Sequence, residues 1–175
     1  MPELTVSELS ADVEGYQDFM KALEMVSPVP IGNEDISGEA KGYYHTEEQR
    51  VAIQHGMSES QTVKTAIHEV AHAKLHSREL NKDTDLSEPK DRNTKEVEAE
   101  SIAYTVCQHF GIDTSDYSFG YIAGWSSGKE MTELKSSLDT IRRTASEMIS
   151  GIDVFYTYDF FRNTIKNSST EKCII

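Results

Sequence analysis

Two histidines and a glutamate between positions 68 and 72 carry the clearest chemical signal in this chain. They read His68-Glu69-Val70-Ala71-His72, an H-E-x-x-H pattern, in a segment with helical periodicity. Because an α-helix turns once per 3.6 residues, His68 and His72 share a face and can direct two imidazoles at one metal ion. Glu69, offset by about 100°, can reach a metal-bound water without becoming a ligand. The arrangement predicts a hydrolytic zinc site with two ligands and a carboxylate base.

The residues around this pattern predict a helix from about Glu59 to Leu75. Ser58 and Gln61 fit a capping box at its start. Apolar residues recur at spacings of three and four and predict a buried stripe, beside which the two histidines would be half buried. The stripe consists of Val63, Ala66, Ile67, Val70 and Ala71.

A third histidine, His76, continues the series two turns after His68. The helical rise separates the two along the axis by about 12 Å, so they cannot share one ion. We therefore expect His76 to be a surface or packing residue, with a substrate contact as the less favoured alternative.

A second predicted helix, around residues 95–107, offers candidates for a third ligand. Glu96 and Glu100 are one turn apart and share a face, whereas Glu98 points elsewhere and is expected to be solvated. One of the two acids could bind the metal while the other accepts the N–H of a ligand histidine. A solvated acidic face is the alternative, since the chain has 30 acidic residues. The expected apolar face comprises Ala99, Ile102, Ala103, Val106 and Phe110.

An H-E-x-x-H helix followed by an E-x-x-A motif on a second helix resembles the gluzincin class of zinc metallopeptidases. Within that class, the chain resembles the ImmA/IrrE group and, in most detail, the ArdC-like antirestriction proteins of bacterial mobile elements. The matching segments span about residues 40–150 and include Tyr43-Tyr44 and residues 76–83, 96–103, 110–112 and 121–125.

The resemblance implies a role for each site residue. His68, His72 and Glu96 match the ligands of Zn²⁺, and Glu69 matches the catalytic base. Glu100 falls where gluzincins usually carry Asp or Asn, the expected outer partner of a ligand histidine. Because Glu is longer than these residues, an exchange of roles between Glu96 and Glu100 stays open. The implied fold is α+β and zincin-like, mainly helical with a small β-hairpin or sheet beside the H-E-x-x-H helix.

Length and charge limit the organisation of the chain. We expect one zincin-like metallopeptidase domain over residues 1–175, with loose ends at 1–9 and 165–175. The net charge of −13 predicts no tight nucleic-acid binding by this chain alone. Proteins of the ArdC type usually carry a separate N-terminal domain for single-stranded DNA, and the segment before Tyr43 is too short for one. The chain therefore resembles the peptidase-like domain of a larger protein or a compact relative.

Hydropathy and cysteine usage predict a cytoplasmic protein without a membrane segment. The mean hydropathy is −0.53, and no apolar run approaches the length of about 20 residues that spans a bilayer. The N-terminus lacks the basic and apolar regions of a signal peptide. Two cysteines, Cys107 and Cys173, provide no disulfide framework, and Cys107 is expected to be a buried thiol.

The remaining periodicities predict further elements. A helix is expected over residues 10–26, a loop over 31–40 and a hairpin formed by 42–46 and 50–55. A short helix is expected over 113–125 and a longer one over 130–149. The longer helix would end at Gly151 and face inward with Met131, Leu134, Leu138, Ile141 and Met148.

Two functions of different class remain open at this point. The favoured one, which the family resemblance implies, is a zinc metallopeptidase encoded by a bacterial mobile element that cleaves an intracellular protein or peptide. Tyr121, Tyr117 and Arg78 are candidates for oxyanion or substrate contacts, although packing or surface roles are favoured for each one. The alternative is a non-catalytic zinc-containing binding module, for example an antirestriction protein that acts by protein contact. A metal-free structural role is the third hypothesis, and the oligomeric state stays undetermined.

Overall fold

The computed structural model describes residues 9–77, 90–114 and 131–170. These residues form a mostly helical α+β fold with a small sheet, which confirms the predicted fold class. None of the described helices is long and apolar enough to cross a membrane. The elements, in chain order, are α1 (Tyr16–Val26), β1 (Ile31–Glu34), β2 (Gly42–His45), β3 (Arg50–Gln54), α2 (Glu59–His76), α3 (Arg92–His109) and α4 (Met131–Thr170).

The sheet has three strands in the order β1-β3-β2. β2 pairs antiparallel with β3, which confirms the predicted hairpin, and β1 pairs parallel with β3. The prediction of a loop over residues 31–40 was therefore wrong for residues 31–34, which form β1. Gly32 and Asn33 are poor strand formers, but they lie beside a strand whose centre is fully buried. Pairing with that strand, which local sequence does not reveal, decides the conformation of β1.

α2 lies at the centre of the fold and confirms the predicted helix. The Ser58 hydroxyl accepts a hydrogen bond from the Gln61 N–H at 3.2 Å, as the cap predicts. The predicted apolar stripe is buried, and so are several polar residues of α2, because α1, α3, β2 and β3 all pack against it. The buried polar residues are Ser60, Gln61, Thr62, Lys64 and Thr65.

α1 begins at Tyr16, six residues later than predicted. Gly15 precedes it in the left-handed region at φ 68°, where glycine is the favoured residue. The preceding segment is instead bonded to the first turn of α2. The backbone N–H of Val13, for example, donates to the Glu59 carboxylate at 2.8 Å. These long-range hydrogen bonds replace the helical ones that the local periodicity predicts.

α4 runs from Met131 to Thr170 and passes through Gly151, so the prediction that Gly151 ends the helix was wrong. A Cβ atom at position 151 would lie 2.4 Å from Val26 Cγ1 of α1. Gly151 therefore allows α1 and α4 to approach closely at their crossing. A glycine within a helix weakens it without stopping it, so α4 continues beyond Gly151.

The inward face of α4 also differs from the predicted one. Ile141 and Met148 are buried as expected, but Leu138 is 60% exposed and the prediction for it was wrong. Its neighbour Ser137 is buried instead and donates a hydrogen bond to Glu98 of α3. A buried carboxylate requires polar partners, so the small hydroxyl faces inward and Leu138 faces solvent.

Two further predictions concern residues near the end of α3. Cys107 is buried as predicted, and burial raises the pKa of its thiol to about 12. The predicted helix over residues 113–125 lies, beyond Thr114, outside the described residues.

We expect Gly151→Ala to lower the free energy of unfolding by about 1 kcal/mol, within a range of about 0–2 kcal/mol. Helix propensity alone would favour alanine by about 0.8–1.0 kcal/mol, but the added methyl group overpacks the contact with Val26, which typically costs about 1–3 kcal/mol. Urea unfolding of the wild type and variant measures the difference.

Two variants control this experiment. Gly32→Ala adds a methyl group where nothing lies within 4 Å and should change stability little. Val26→Ala in the Gly151→Ala background should recover part of the loss, since it removes the clashing methyl group. Stabilisation by Gly151→Ala would contradict the close approach of α1 and α4.

Candidate metal centre

The packing of α2 against α3 brings the predicted site residues together. α3 begins after Asp91, whose carboxylate accepts a hydrogen bond from the Thr94 N–H at 2.9 Å. Lys64, early in α2, contacts Glu100, whereas His76 at the end of α2 contacts Glu98. The H-E-x-x-H turn of α2 faces the early part of α3, because Glu96 lies beside both histidines.

Three ligand atoms form a compact triangle at this contact. The Nε2 atoms of His68 and His72 are 3.1 Å apart, and Glu96 Oε2 lies 3.5 Å from the first and 3.6 Å from the second. A tetrahedral zinc ion with ligand bonds of 2.0–2.1 Å would space its ligands by about 3.3–3.4 Å. Two imidazoles and one carboxylate are also a ligand set that zinc prefers. The three residues thus fit a divalent metal ion in chemistry and in spacing.

The electrostatics of the triangle favour positive charge at its centre. Three electron-pair donors at these distances repel one another unless a cation lies among them. Burial opposes a charge on the His68 ring, but hydrogen bonds to Glu100 and Glu96 outweigh it and raise the pKa of His68 to about 9. The nearby rings of His68 and His72 hold the pKa of Glu96 well below its usual range.

Glu100 lies behind His68 rather than in the triangle. Its Oε2 accepts a hydrogen bond from His68 Nδ1 at 3.2 Å and one from Lys64 Nζ at 2.7 Å. The side chains of Lys64 and Glu100 are only 4% and 2% exposed. Burial raises the pKa of Glu100, but its bonds to His68 and Lys64 lower it to about 2. When a metal ion displaces the Nε2 proton of His68, an ionised Glu100 keeps the remaining ring proton on Nδ1 and leaves the Nε2 lone pair for the ion.

Glu69 lies beside the triangle at the edge of the sheet. Burial raises the pKa of its carboxyl, which also accepts a hydrogen bond from the backbone N–H of Tyr44 in β2. The strand passes so close that a Cβ atom at Gly42 would lie 2.7 Å from Thr65 Cγ2 and 3.3 Å from Glu69 Cγ. A cavity of about 240 Å³ opens here, lined by residues 39–42 and by Lys64, Thr65, His68 and Glu69.

The prediction that Glu98 is solvated was wrong, because its side chain is 0% exposed. Glu98 accepts hydrogen bonds from His76 Nε2 at 3.2 Å and from Lys90 Nζ at 2.7 Å. Although burial raises the pKa of Glu98, these bonds and the one from Ser137 lower it. A single apolar stripe predicts one buried face, whereas α3 packs against α2 and α4 together, so a second face is covered.

His76 is a packing residue rather than a surface residue. Its ring is 7% exposed, and its Nδ1 lies 3.0 Å from Nδ1 of the neighbouring His72. Burial lowers the pKa of His76. Lys64 was not predicted as part of the site, although its position one turn before His68 on the same face of the helix was a usable signal. Arg78, Tyr117 and Tyr121 lie outside the described residues.

Comparison with known proteins places this site in a family. Residues 31–147 match the zincin-like metallopeptidase family. The chain belongs to this family. The assignment confirms the zincin-like fold class and the resemblance to zincin metallopeptidases.

The individual proteins that are similar to this chain are all longer than it is. The chain is 39% identical over 97 residues to an uncharacterized protein of Bacillus anthracis, which covers 55% of this chain and 15% of that protein. Crystal structures of the antirestriction protein ArdC from the R388 plasmid are similar at 20% identity. The Mn(II)-bound form has a TM-score of 0.47 and covers 90% of this chain and 57% of ArdC. The metal-free form has a TM-score of 0.48, with 89% and 55% covered. The chain thus spans less than two thirds of each of these proteins.

We expect Lys64→Met to lower the free energy of unfolding by about 3–5 kcal/mol, because it leaves the buried Glu100 carboxylate without its cation. Urea unfolding with a chelator present measures this without a contribution from bound metal.

The matched control is Lys74→Met, since the partner of Lys74, Glu147, is 63% exposed and such pairs contribute about 0–1 kcal/mol. Lys64→Met combined with Glu100→Gln should recover much of the loss. If Lys64→Met were as mild as Lys74→Met, the Lys64–Glu100 pair would not stabilise the helix contact.

Proposed function

We propose that this protein is a zinc-dependent metallopeptidase in which His68, His72 and Glu96 hold the ion and Glu69 is the general base. The observation that carries the proposal is the triangle of two Nε2 atoms and one carboxylate oxygen, with edges of 3.1–3.6 Å, next to a carboxylate that stays outside it. Membership of the zincin-like metallopeptidase family supports the same reaction class.

The bound ion would lower the pKa of a water toward about 7 and polarise the scissile carbonyl. Glu69 then accepts a proton from the water as its oxygen forms a bond to the carbonyl carbon. As the C–N bond breaks, Glu69 returns that proton to the leaving amine nitrogen and becomes ionised again. The hydrogen bond from the Tyr44 N–H keeps the carboxylate of Glu69 directed toward this position.

The surroundings of Glu69 favour an extended peptide as the substrate. β2 is the edge strand of the described sheet next to the site, and an extended peptide can pair with such an edge. The cavity beside Glu69 could receive one side chain of that peptide. We therefore propose that the substrate is a protein or peptide of the cytoplasm. We expect the enzyme to work in that compartment.

The purified protein should contain about one zinc ion per chain. Chelator should remove it and lower the melting temperature, because a ligand that binds the folded state adds to stability. Metal analysis and thermal unfolding measure the two effects.

Substitution of the ligands should follow a defined order. His68→Ala should abolish zinc binding, and Glu96→Ala should weaken it more than Glu100→Ala, since losing an outer partner typically costs about 10–100-fold in affinity. Glu147→Ala, at an exposed site of α4, is the control. A larger effect of Glu100→Ala would exchange the two roles, and wild-type zinc binding by His68→Ala would disprove the site.

Glu69→Gln should separate catalysis from metal binding. The variant keeps the size of the side chain and most of its hydrogen-bonding shape, so zinc content and melting temperature should stay nearly unchanged. Loss of the general base should reduce cleavage by about 10²-fold or more. Each variant is incubated with the proteins of a bacterial lysate and, separately, with peptides prepared from them. Mass spectrometry then measures the rate at which new N-termini form.

One outcome would contradict the role of Glu69, and another would contradict the peptidase function itself. Equal cleavage by the wild type and Glu69→Gln would show that another group is the base. Absence of cleavage by the zinc-loaded wild type, in both proteins and peptides, would favour a role through protein contact. In that role, Glu69→Gln would keep full cellular activity at equal abundance.

A further inference from the structure

His72 has a chain of hydrogen-bond partners on the side of its ring that faces away from the triangle. The proposed reaction gives these residues no role. The Nδ1 of His72 lies 3.0 Å from His76 Nδ1, and His76 Nε2 lies 3.2 Å from Glu98 Oε2. The other oxygen of Glu98 accepts a hydrogen bond from Lys90 Nζ at 2.7 Å. The contacts form a continuous chain from the proposed metal ligand to the buried Glu98 carboxylate and its partly exposed partner Lys90.

Hydrogen-bond chemistry allows one arrangement of protons along this chain. If the lone pair of His72 Nε2 faces the triangle, its ring proton is on Nδ1. His76 Nδ1 must then accept that proton, so His76 is neutral and carries its own proton on Nε2. This second proton is directed at Glu98, an ionised carboxylate that can only accept. Each donor thus meets one acceptor.

We propose that His76 and Glu98 are positioning residues that hold His72 in its metal-binding tautomer and orientation. The inference rests on the metal site of the proposed function and extends it to residues beyond the ligands. It also assigns a purpose to Glu98, whose complete burial next to an apolar face is otherwise costly. Lys90 balances the charge, and Ser137 of α4 donates a further hydrogen bond to the same carboxylate.

The two ligand histidines are supported in parallel ways. His68 donates directly to Glu100, which pairs with Lys64, whereas His72 reaches Glu98 and Lys90 through the ring of His76. In both cases a carboxylate of α3 receives the proton and a lysine compensates its charge. Glu98 and Glu100 lie on different faces of α3, so the intervening imidazole supplies the reach that Glu98 lacks.

The test compares zinc affinity, measured by competition with a chromophoric chelator, in His76→Leu and His76→Gln. Leucine fills space but forms no hydrogen bond, so we expect affinity to fall by about 10–100-fold, as for other outer partners of metal-bound histidine. The amide of glutamine can accept from His72 and donate to Glu98, so it should restore most of the loss. His109→Leu, which removes an exposed histidine of α3, should bind zinc as the wild type does.

The visible absorption spectrum of the Co²⁺-substituted protein provides a second readout. We expect its bands to shift in His76→Leu and to return toward the wild-type positions in His76→Gln, since the spectrum reports ligand geometry rather than stability. If His76→Leu fails to fold, Glu98→Gln combined with Lys90→Met should weaken zinc binding by about 10-fold, because it removes the charge that orients His76.

The outcomes distinguish this inference from the function on which it rests. Wild-type affinity and spectrum in His76→Leu would overturn it, and so would an equal loss in the leucine and glutamine variants, which would indicate a packing role. Failure of the wild type itself to bind zinc would instead disprove the proposed function.

Discussion

The pairing of the buried carboxylates of α3 is the constraint on which the rest of this structure depends. An uncompensated charge in a protein interior is destabilising by several kcal/mol, so each buried carboxylate must meet a partner. Glu100 meets Lys64 and Glu98 meets Lys90 and His76. These contacts set how far α3 is shifted along α2. In that register Glu96, one turn before Glu100, lies beside the imidazoles of His68 and His72.

The remaining elements hold this helix pair against the sheet. Gly42 lets β2 approach α2 so closely that the backbone of the edge strand hydrogen-bonds to Glu69. α4 covers α3 from the other side and contributes Ser137 to the buried polar chain. At its crossing with α1, Gly151 provides the space for Val26. The site is thus formed on packed helices and a strand edge, which suits a centre that needs accurate ligand geometry.

Much of this organisation could be predicted from local patterns. The capped helix with H-E-x-x-H, the hairpin before it and the buried Cys107 follow from spacing and composition, because helix and strand periods determine which residues share a face. The predictions for β1, Gly151, Leu138 and Glu98 failed for a common reason. Each depends on a neighbour distant in sequence, through a pairing strand, a crossing helix or a buried hydrogen bond.

The sequence by itself determined the types and local spacing of the chemical groups: two imidazoles and a carboxylate on one helix, with two more acids one turn apart on the next. Local geometry left Glu96 and Glu100 equivalent, since residues one turn apart on a helix share a face. Only the tertiary structure distinguished them, by pairing Glu100 with Lys64 behind His68 and by placing the Glu96 carboxylate in the triangle. The same packing brought His76 and Glu98 together, because the two residues lie on different helices and meet only where α2 packs against α3.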